Sequence, residues 1–95
     1  MKITELIKAG SAEFYLEKEG RTLASLTCSC SKDSLIIIET KGQLLPDMNL
    51  EDEGRLLVIY AVNYAMENHL KIQASCPLAL SIFHKNPHIL ERANK

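Results

Sequence analysis

The stretch from Leu56 to Pro87, LLVIYAVNYAMENHLKIQASCPLALSIFHKNP, limits the possible folds of this chain more than any other part of the sequence. Apolar residues recur in it at helical spacing and predict a long helix, which begins at Asp47 or Asn49 and continues to about Asn68. The expected buried stripe comprises Leu50, Leu57, Val58, Ala61, Tyr64 and Ala65. Additional apolar residues widen this stripe and predict a helix covered on more than one side or used in an interface; they are Leu56, Ile59, Tyr60 and Val62.

The residues that follow the long helix predict a strand and a second helix. Lys71–Ala74 has the length and composition of a short strand. Pro77 suits the first turn of a helix that continues to about Lys85, because a helix does not need the N–H that proline lacks at that position. Residues 88–95 are expected to form a last helical turn and a tail.

The first third of the chain predicts antiparallel strands. Residues 13–17 and 22–29 are expected to form a hairpin whose turn, at 18–21, contains Gly20 for a positive φ. Lys2–Lys8 is either a first strand or a frayed segment. In the second hairpin strand four residues are expected to share a buried face: Ala24, Leu26, Cys28 and Cys30.

Residues 35–39 are expected to form a strand, and the continuous apolar run at 35–38 predicts that it is central and covered on both faces. A turn precedes this strand at residues 32–34, and a loop follows it at residues 42–48. The predicted order is therefore β-β-β-α-β-α, in a single domain of residues 1–95. We expect an α+β fold with a mixed, mainly antiparallel sheet, one long central helix and a short C-terminal helix.

Composition excludes several classes of protein. The 11 basic and 12 acidic residues include no basic block, and aromatic residues make up only 5%, so nucleic-acid binding is not expected. The N-terminus contains no apolar run of the length that a signal peptide or a membrane span needs. We therefore expect a cytoplasmic protein whose three cysteines are reduced.

In combination these motifs resemble the small stand-alone GNAT-like N-acetyltransferase domains. The residues that carry the resemblance are Phe14, Leu16, Gly20, Ala24 and Leu26 in the hairpin, Leu57, Val58, Ala61, Tyr64 and Ala65 in the helix, Leu70, Lys71 and Ile72 in the strand, Ser75, Cys76 and Pro77 at the corner, and Phe83, Lys85 and Pro87 in the last helix. The resemblance implies a GNAT-like sheet, acetyl-CoA as cofactor and an amine, on a small molecule or a protein, as acceptor. It also implies that the strand backbone at Ile37 and Ile38 polarises the thioester carbonyl.

The glycine-rich turn that holds the CoA pyrophosphate in this family corresponds here to acidic residues. The matching positions are Asn49, Glu51, Asp52, Glu53, Gly54 and Arg55. Each carboxylate in a first helical turn stabilises the helix by about 0.3–1 kcal/mol, but repels a bound pyrophosphate by a similar amount. Acetyl-CoA binding is therefore expected to be weakened or lost. Two other motifs of the family differ too, with Asn86 in place of a histidine and Glu39-Thr40 in place of His-Thr.

Cys76 is the candidate catalytic residue. It follows a strand and precedes a helix, where the helix dipole can lower the pKa of a thiol. The resemblance implies a position near the acyl-CoA thioester and so a nucleophilic role. The alternative is a small buried thiol that fills the corner between the strand and the helix.

Other polar residues have simpler structural explanations. Cys28, Cys30 and Cys76 with a histidine could bind zinc, but packing is the better interpretation and no metal is expected. His84 and His88 are four residues apart, but Pro87 interrupts their helix, so we expect solvated histidines. His69 is expected to interact with the last carbonyls of the long helix. Two tyrosines, Tyr60 and Tyr64, are expected to pack, although either could reprotonate a CoA thiolate.

Two functions therefore follow from the sequence. The first is an N-acetyltransferase that transfers acetyl from acetyl-CoA to an amine, and the second is an interaction module that keeps the scaffold without binding CoA. In the second case the broadly apolar helix would serve dimerisation or the docking of a partner.

Overall fold

The computed structural model describes residues 2–42 and 50–93. In chain order the elements are β1 (Lys2–Lys8), β2 (Ser11–Lys18), β3 (Arg21–Cys30), β4 (Ser34–Gly42), α1 (Leu50–Glu67), β5 (Lys71–Ala74), α2 (Pro77–Lys85) and α3 (Pro87–Ala93). Lys2–Lys8 is thus a strand, and a third helix follows α2, so the predicted order lacked one strand and one helix. The predicted loop at 42–48 and the predicted helix starts, Asp47 and Asn49, lie outside the described residues except for Gly42, which ends β4.

The five strands form one mixed sheet in the order β1-β2-β3-β4-β5. The first four are antiparallel neighbours, whereas β5 pairs with β4 in parallel, from Ser34 opposite Lys71 to Ile37 opposite Ala74. Helix α1 is the crossover that this parallel pair requires. The α+β class and the mixed sheet are therefore confirmed.

The core lies between one face of the sheet and the helices. On the sheet side it contains Ala12, Phe14, Leu16, Ala24, Leu26, Cys28, Leu35, Ile37 and Ile72, and on the helix side Leu57, Val58, Ala61, Val62, Ala65, Ala79, Ile82 and Phe83. The ring of Phe14 makes edge contacts with Tyr60 and Tyr64, at centroid distances of 5.4 and 5.5 Å. The predicted helical stripe is confirmed at Leu57, Val58, Ala61 and Ala65, and Tyr64 is half-buried; the side chain of Leu50 lies outside the described residues. Leu56 and Ile59 are 43% and 38% exposed.

The prediction that residues 35–39 are covered on both faces is wrong. Leu35 and Ile37 are fully buried, but Ile38 is 49% exposed and Ile36 is only half-buried. The helices pack on the face that Leu35 and Ile37 share, so the other face of β4 has no second layer. A β-bulge also interrupts β4, because Ile37 pairs with Cys28 and Glu39 with Thr27, which leaves Ile38 as the additional residue.

The β2–β3 hairpin is closed by a two-residue turn. Glu19 and Gly20 have φ values of 52° and 78°, the pair of positive angles typical of a type I′ turn. A second bulge follows it, since Leu16 pairs with Ala24 and Glu17 with Thr22. The bulge places Leu23 beside Ala24 on the buried side, although consecutive strand residues normally alternate.

Helix α1 ends in a Schellman motif. Leu70 N–H donates to the carbonyl of Ala65 over 2.8 Å, and His69 N–H donates to that of Met66 over 3.3 Å. His69 occupies the left-handed position of the motif, with φ of 57°. The contact with the last carbonyls is made by the backbone N–H of His69, whereas the interaction expected of this histidine with the helix end stays a prediction. Over the described residues, no helix has the length and apolar character needed to cross a membrane.

Candidate functional site

The two parallel strands β4 and β5 separate at Ser75. The Ser75 amide donates to the carbonyl of Ile37 over 2.9 Å, and the Ser75 hydroxyl contacts the same oxygen at 3.4 Å. Beyond this point β4 continues to Gly42, whereas the chain after β5 turns into α2. Among the described strands, none pairs with the last residues of β4 on the side that β5 occupied.

Thr40 lies in this unpaired part of β4. Its position opposite Leu26 is a non-hydrogen-bonded one, because Thr27–Glu39 and Ser25–Lys41 on either side are the hydrogen-bonded pairs. The backbone N–H and carbonyl of Thr40 consequently point away from β3. Its side chain lies on the same sheet face as the buried Leu26.

Cys76 fills the space beside Thr40. Its Sγ lies 3.3 Å from Thr40 Oγ1, and the residue is only 6% exposed. Cys76 has extended backbone angles, φ −77° and ψ 129°, and is the N-cap of α2 with Pro77 as the first helical residue. Its carbonyl accepts the Leu80 N–H over 3.0 Å, which starts the helical hydrogen-bond ladder. The chain order strand, Cys-Pro, helix thus positions the thiol at a helix N-terminus.

The surroundings of Cys76 lower the pKa of its thiol. Burial has the largest effect and raises the pKa, but the hydrogen bond from the Thr40 hydroxyl and the backbone amides of Ala79, Leu78 and Thr40 together outweigh it. Two of these amides, those of Leu78 and Ala79, belong to the first turn of α2, where backbone N–H groups have no partner within the helix. The thiolate of Cys76 is therefore easier to form than that of a cysteine with an ordinary pKa.

Gly54 forms the floor of the same corner, within the first turns of α1. A Cβ at Gly54 would lie 2.8 Å from Leu78 Cδ2 and 3.7 Å from Thr40 Cγ2. A side chain at this position would therefore displace Leu78, whereas glycine lets Leu78 pack directly against α1. We call these four residues, Thr40, Gly54, Cys76 and Leu78, the Cys76 corner.

Of the positions expected to hold a pyrophosphate, the structure describes the helical backbone of residues 51–55 and the side-chain surroundings of Gly54 and Arg55. Leu78 already occupies the space beside Gly54, and residues 51–54 are helical rather than a glycine turn. Arg55 is exposed on α1. Asn49 lies outside the described residues, as do the side chains of Glu51, Asp52 and Glu53. Among the described residues, the contact that defines this position is therefore the packing of Leu78 against Gly54.

The two backbone positions proposed for carbonyl polarisation differ. The Ile37 carbonyl is engaged by Ser75, and its side chain is buried in the core. Ile38 is the bulge residue and exposes its side chain. The backbone amide of β4 that acts on the Cys76 thiol belongs instead to Thr40. Sequence comparison had marked this residue only as part of Glu39-Thr40, at the position of a family His-Thr.

The remaining cysteines lie elsewhere in the core. Cys28 is 1% exposed, and burial followed by the influence of nearby Cys30 raises its pKa to about 12. The predicted face of β3 is confirmed, with Cys28 buried and Cys30 half-buried. Within residues 2–42 and 50–93, no group of three or more Cys, His, Asp or Glu side chains could hold a metal ion.

The tyrosines and histidines do not join the Cys76 corner. Tyr60 donates its hydroxyl to Glu5 Oε2 over 2.9 Å, and Glu5 belongs to the opposite edge strand of the sheet. This hydrogen bond, with smaller contributions from burial and from the charge of Glu5, raises the Tyr60 pKa. His84 and His88 are exposed on α2 and α3.

Comparison with known proteins does not assign the chain to a family. No protein-family model matches the sequence, and no curated protein is significantly similar to it.

Proposed function

We propose that the chain is a GNAT-like N-acetyltransferase-type domain that transfers acetyl from acetyl-CoA to an amine by way of Cys76. The observation that carries the proposal is the Cys76 thiol, which lies 3.3 Å from the Thr40 hydroxyl beside the unpaired end of β4. A thiol with a lowered pKa at a helix N-terminus is the usual form of a nucleophilic cysteine. A cytoplasmic location, where thiols stay reduced, accords with this proposal.

In the proposed reaction, the Cys76 thiolate forms a bond to the acetyl carbonyl carbon as the bond from that carbon to the CoA sulfur breaks, and CoA leaves as a thiolate that takes a proton from water. The acceptor amine then attacks the acetyl-cysteine, forms the amide and releases the Cys76 thiolate. The amine loses one proton to water or to a carboxylate during this step. The amide of Thr40 and those at the start of α2 would stabilise the negative charge on the sulfur before attack and after release.

We expect weak affinity for acetyl-CoA. Leu78 occupies the approach to Gly54, and the sequence places three carboxylates in the same first turn of α1. Each repels a pyrophosphate by about 1 kcal/mol when exposed, so the nucleotide end should contribute little. The acyl end would supply most of the specificity.

Mass spectrometry of the intact protein tests the nucleophile. After incubation with acetyl-CoA and acid quenching, the wild-type chain should carry one acetyl group that neutral hydroxylamine removes, as it does a thioester. Cys76→Ala should remain unlabelled, and Cys30→Ala, which changes a half-buried cysteine outside the corner, should label normally. Labelling that persists in Cys76→Ala would exclude transfer through this residue.

Thermal unfolding tests the substrate separately. A ligand that binds the native state must raise the unfolding midpoint by mass action, so millimolar acetyl-CoA or CoA should shift it. If both leave the midpoint and the amide NMR spectrum unchanged, the acetyltransferase proposal fails.

Replacement of Glu51, Asp52 and Glu53 together by alanine should enlarge the shift in unfolding midpoint that acetyl-CoA causes. A smaller shift would contradict the repulsion argument.

The packing of Leu78 on Gly54 favours a second candidate, an interaction module on a GNAT-like scaffold that does not bind CoA. In that case Gly54 serves helix packing alone, and the exposed Leu56 and Ile59 of α1 contribute to dimerisation or partner docking. A homodimer would dissociate when Ile59 is replaced by glutamate. Sedimentation velocity that shows a monomer for both proteins at high concentration would contradict the dimer.

A further inference from the structure

Strand β1 presents an unpaired backbone edge. All seven of its residues pair with β2, and within the described part of the chain β2 is its only strand neighbour. Lys8 and Ser11 close a two-residue loop and therefore form a hydrogen-bonded pair, so alternate residues of β1 bond to β2. The N–H and carbonyl groups of Ile3, Glu5 and Ile7 consequently point outward, where another strand could pair with them.

The side chains along this edge carry a symmetrical pattern of charge. The sequence KITELIK has lysines at both ends, Glu5 at the centre and an isoleucine on each side of it. Ile3, Glu5 and Ile7 lie opposite the buried Leu16, Phe14 and Ala12, so they share the helix-covered face of the sheet. Ile7 nevertheless remains 43% exposed. The Tyr60 hydroxyl holds the Glu5 carboxylate from α1.

This pattern disfavours a second copy of the same strand. Antiparallel self-pairing through the three outward residues would place each Glu5 opposite its counterpart and each Lys2 opposite a Lys8. Like charges directly opposite each other destabilise a strand pair. The same positions would attract a strand in which all three charges are reversed.

We propose that β1 is a docking edge for an extended segment of another protein with the alternating pattern acidic, apolar, any, basic, any, apolar, acidic. Such a segment would add a sixth strand next to β1, with its backbone bonded to Ile3, Glu5 and Ile7. Its basic side chain would lie opposite Glu5, its apolar side chains opposite the two isoleucines and its acidic ends opposite Lys2 and Lys8. This inference does not depend on acetyl transfer, since β1 and β5 are opposite edges of the sheet.

A synthetic peptide tests the proposal directly. The probe is acetyl-Glu-Val-Thr-Lys-Thr-Val-Glu-amide, titrated into the isotopically labelled protein and followed by NMR. Saturable amide shifts should concentrate on β1, and hydrogen exchange should slow at Ile3, Glu5 and Ile7. The charge-reversed peptide Lys-Val-Thr-Glu-Thr-Val-Lys should bind at least about fivefold more weakly, the ratio expected for the loss of about 1 kcal/mol of cross-strand charge pairing.

Two controls separate strand addition from other modes of binding. A probe with methyl groups on both valine backbone nitrogens should lose binding, because those nitrogens donate to β1. The variant Glu5→Lys should reduce or reverse the difference in affinity between the two peptides. Its amide NMR spectrum should remain that of a folded protein. Equal affinity for both peptides, shifts away from β1, or no saturable binding at millimolar peptide would overturn the proposal. Concentration-dependent dimerisation through β1 without peptide would also overturn it, since it would identify a second copy as the occupant.

Discussion

Cys28 and Cys76 are both buried, with 1% and 6% of their surface exposed, yet the pKa values of their thiols move in opposite directions. Cys28 lies in the middle of β3 and faces the apolar core. Burial disfavours the charged thiolate, no described hydrogen-bond donor offsets this effect, and the pKa of the Cys28 thiol is raised to about 12. Cys76 lies where β4 has lost its neighbour and α2 begins, and donors from both elements offset the burial.

The difference shows that the acidity of a buried thiol in this molecule depends on whether it lies inside a strand or where strands and helices end. Inside a sheet each backbone amide bonds to the next strand and is unavailable to a side chain. At the Cys76 corner the Thr40 amide points away from β3, and the first amides of α2 have no partner within their helix. A thiol placed between them interacts with several donors at once.

Thiol reactivity gives the largest expected contrast. At pH 8 a pKa of about 12 leaves roughly one Cys28 in ten thousand ionised, whereas the hydrogen bonds around Cys76 lower the pKa of its thiol and leave a larger share of it ionised. Iodoacetamide should therefore modify Cys76 much faster than Cys28, because only the thiolate reacts. Peptide mapping after timed quenching measures both rates, and the Cys76 rate should rise with pH and level off before that of Cys28.

Unfolding the protein in urea provides the control for this contrast, because both thiols then have ordinary pKa values and should react alike. Equal rates in the folded protein would contradict the assigned surroundings.

Replacing each of these two cysteines by serine should lower the free energy of unfolding by different amounts. Cys28→Ser buries a hydroxyl among apolar side chains and should lower the free energy of unfolding by about 1–3 kcal/mol. Cys76→Ser retains Thr40 as a hydrogen-bond partner, so its cost should be below about 1 kcal/mol. Urea titrations of the two variants measure the difference. If Cys76→Ser proved the more destabilising, the donors at the corner would not be positioned as described.

Removal of the Thr40 hydroxyl should raise the pKa of the Cys76 thiol towards that of Cys28. Thr40→Val preserves the shape of the side chain but deletes the donor 3.3 Å from Sγ, at a cost of about 0.5–1.5 kcal/mol in stability. Since that hydrogen bond lowers the Cys76 pKa, the pH profile of its alkylation should move to higher pH. Thr27→Val, on the outer face of β3, is the matched control and should leave the profile unchanged. A profile that does not move in Thr40→Val would assign the pKa shift to the backbone amides alone.

Local sequence signals predicted most of the elements, but not how the elements meet. Gly20 marked the hairpin, and the Cys-Pro pair marked the start of α2, because turns and caps depend on neighbouring residues. The one-sided cover of β4 was not predictable, since a run of isoleucines is compatible with one covered face or with two. Its bulge at Ile38 has no composition signal either.

The candidate site was predictable to the same extent. Cys76 was identified from its place between a strand and a helix. The role of Thr40 depends on the register of β3 with β4, which a bulge changes by one residue. Gly54 was interpreted as the remnant of a phosphate turn, whereas its contact with Leu78 depends on the approach of two helices distant in sequence.

Gly54→Ala should give the smallest effect and tests how firmly α1 supports the corner. Alanine favours a helix over glycine by about 1 kcal/mol, but its Cβ would lie 2.8 Å from Leu78 Cδ2 and displace that side chain. The two effects should nearly cancel in the wild-type background. In a Leu78→Ala background the conflict disappears, and the same substitution should stabilise the protein by about 0.5–1 kcal/mol. A double-mutant cycle measured by urea unfolding isolates this coupling. If Gly54→Ala stabilised the protein equally in both backgrounds, the Leu78 side chain would be able to move aside at no cost. The space beside Gly54 would then also be accessible to a ligand.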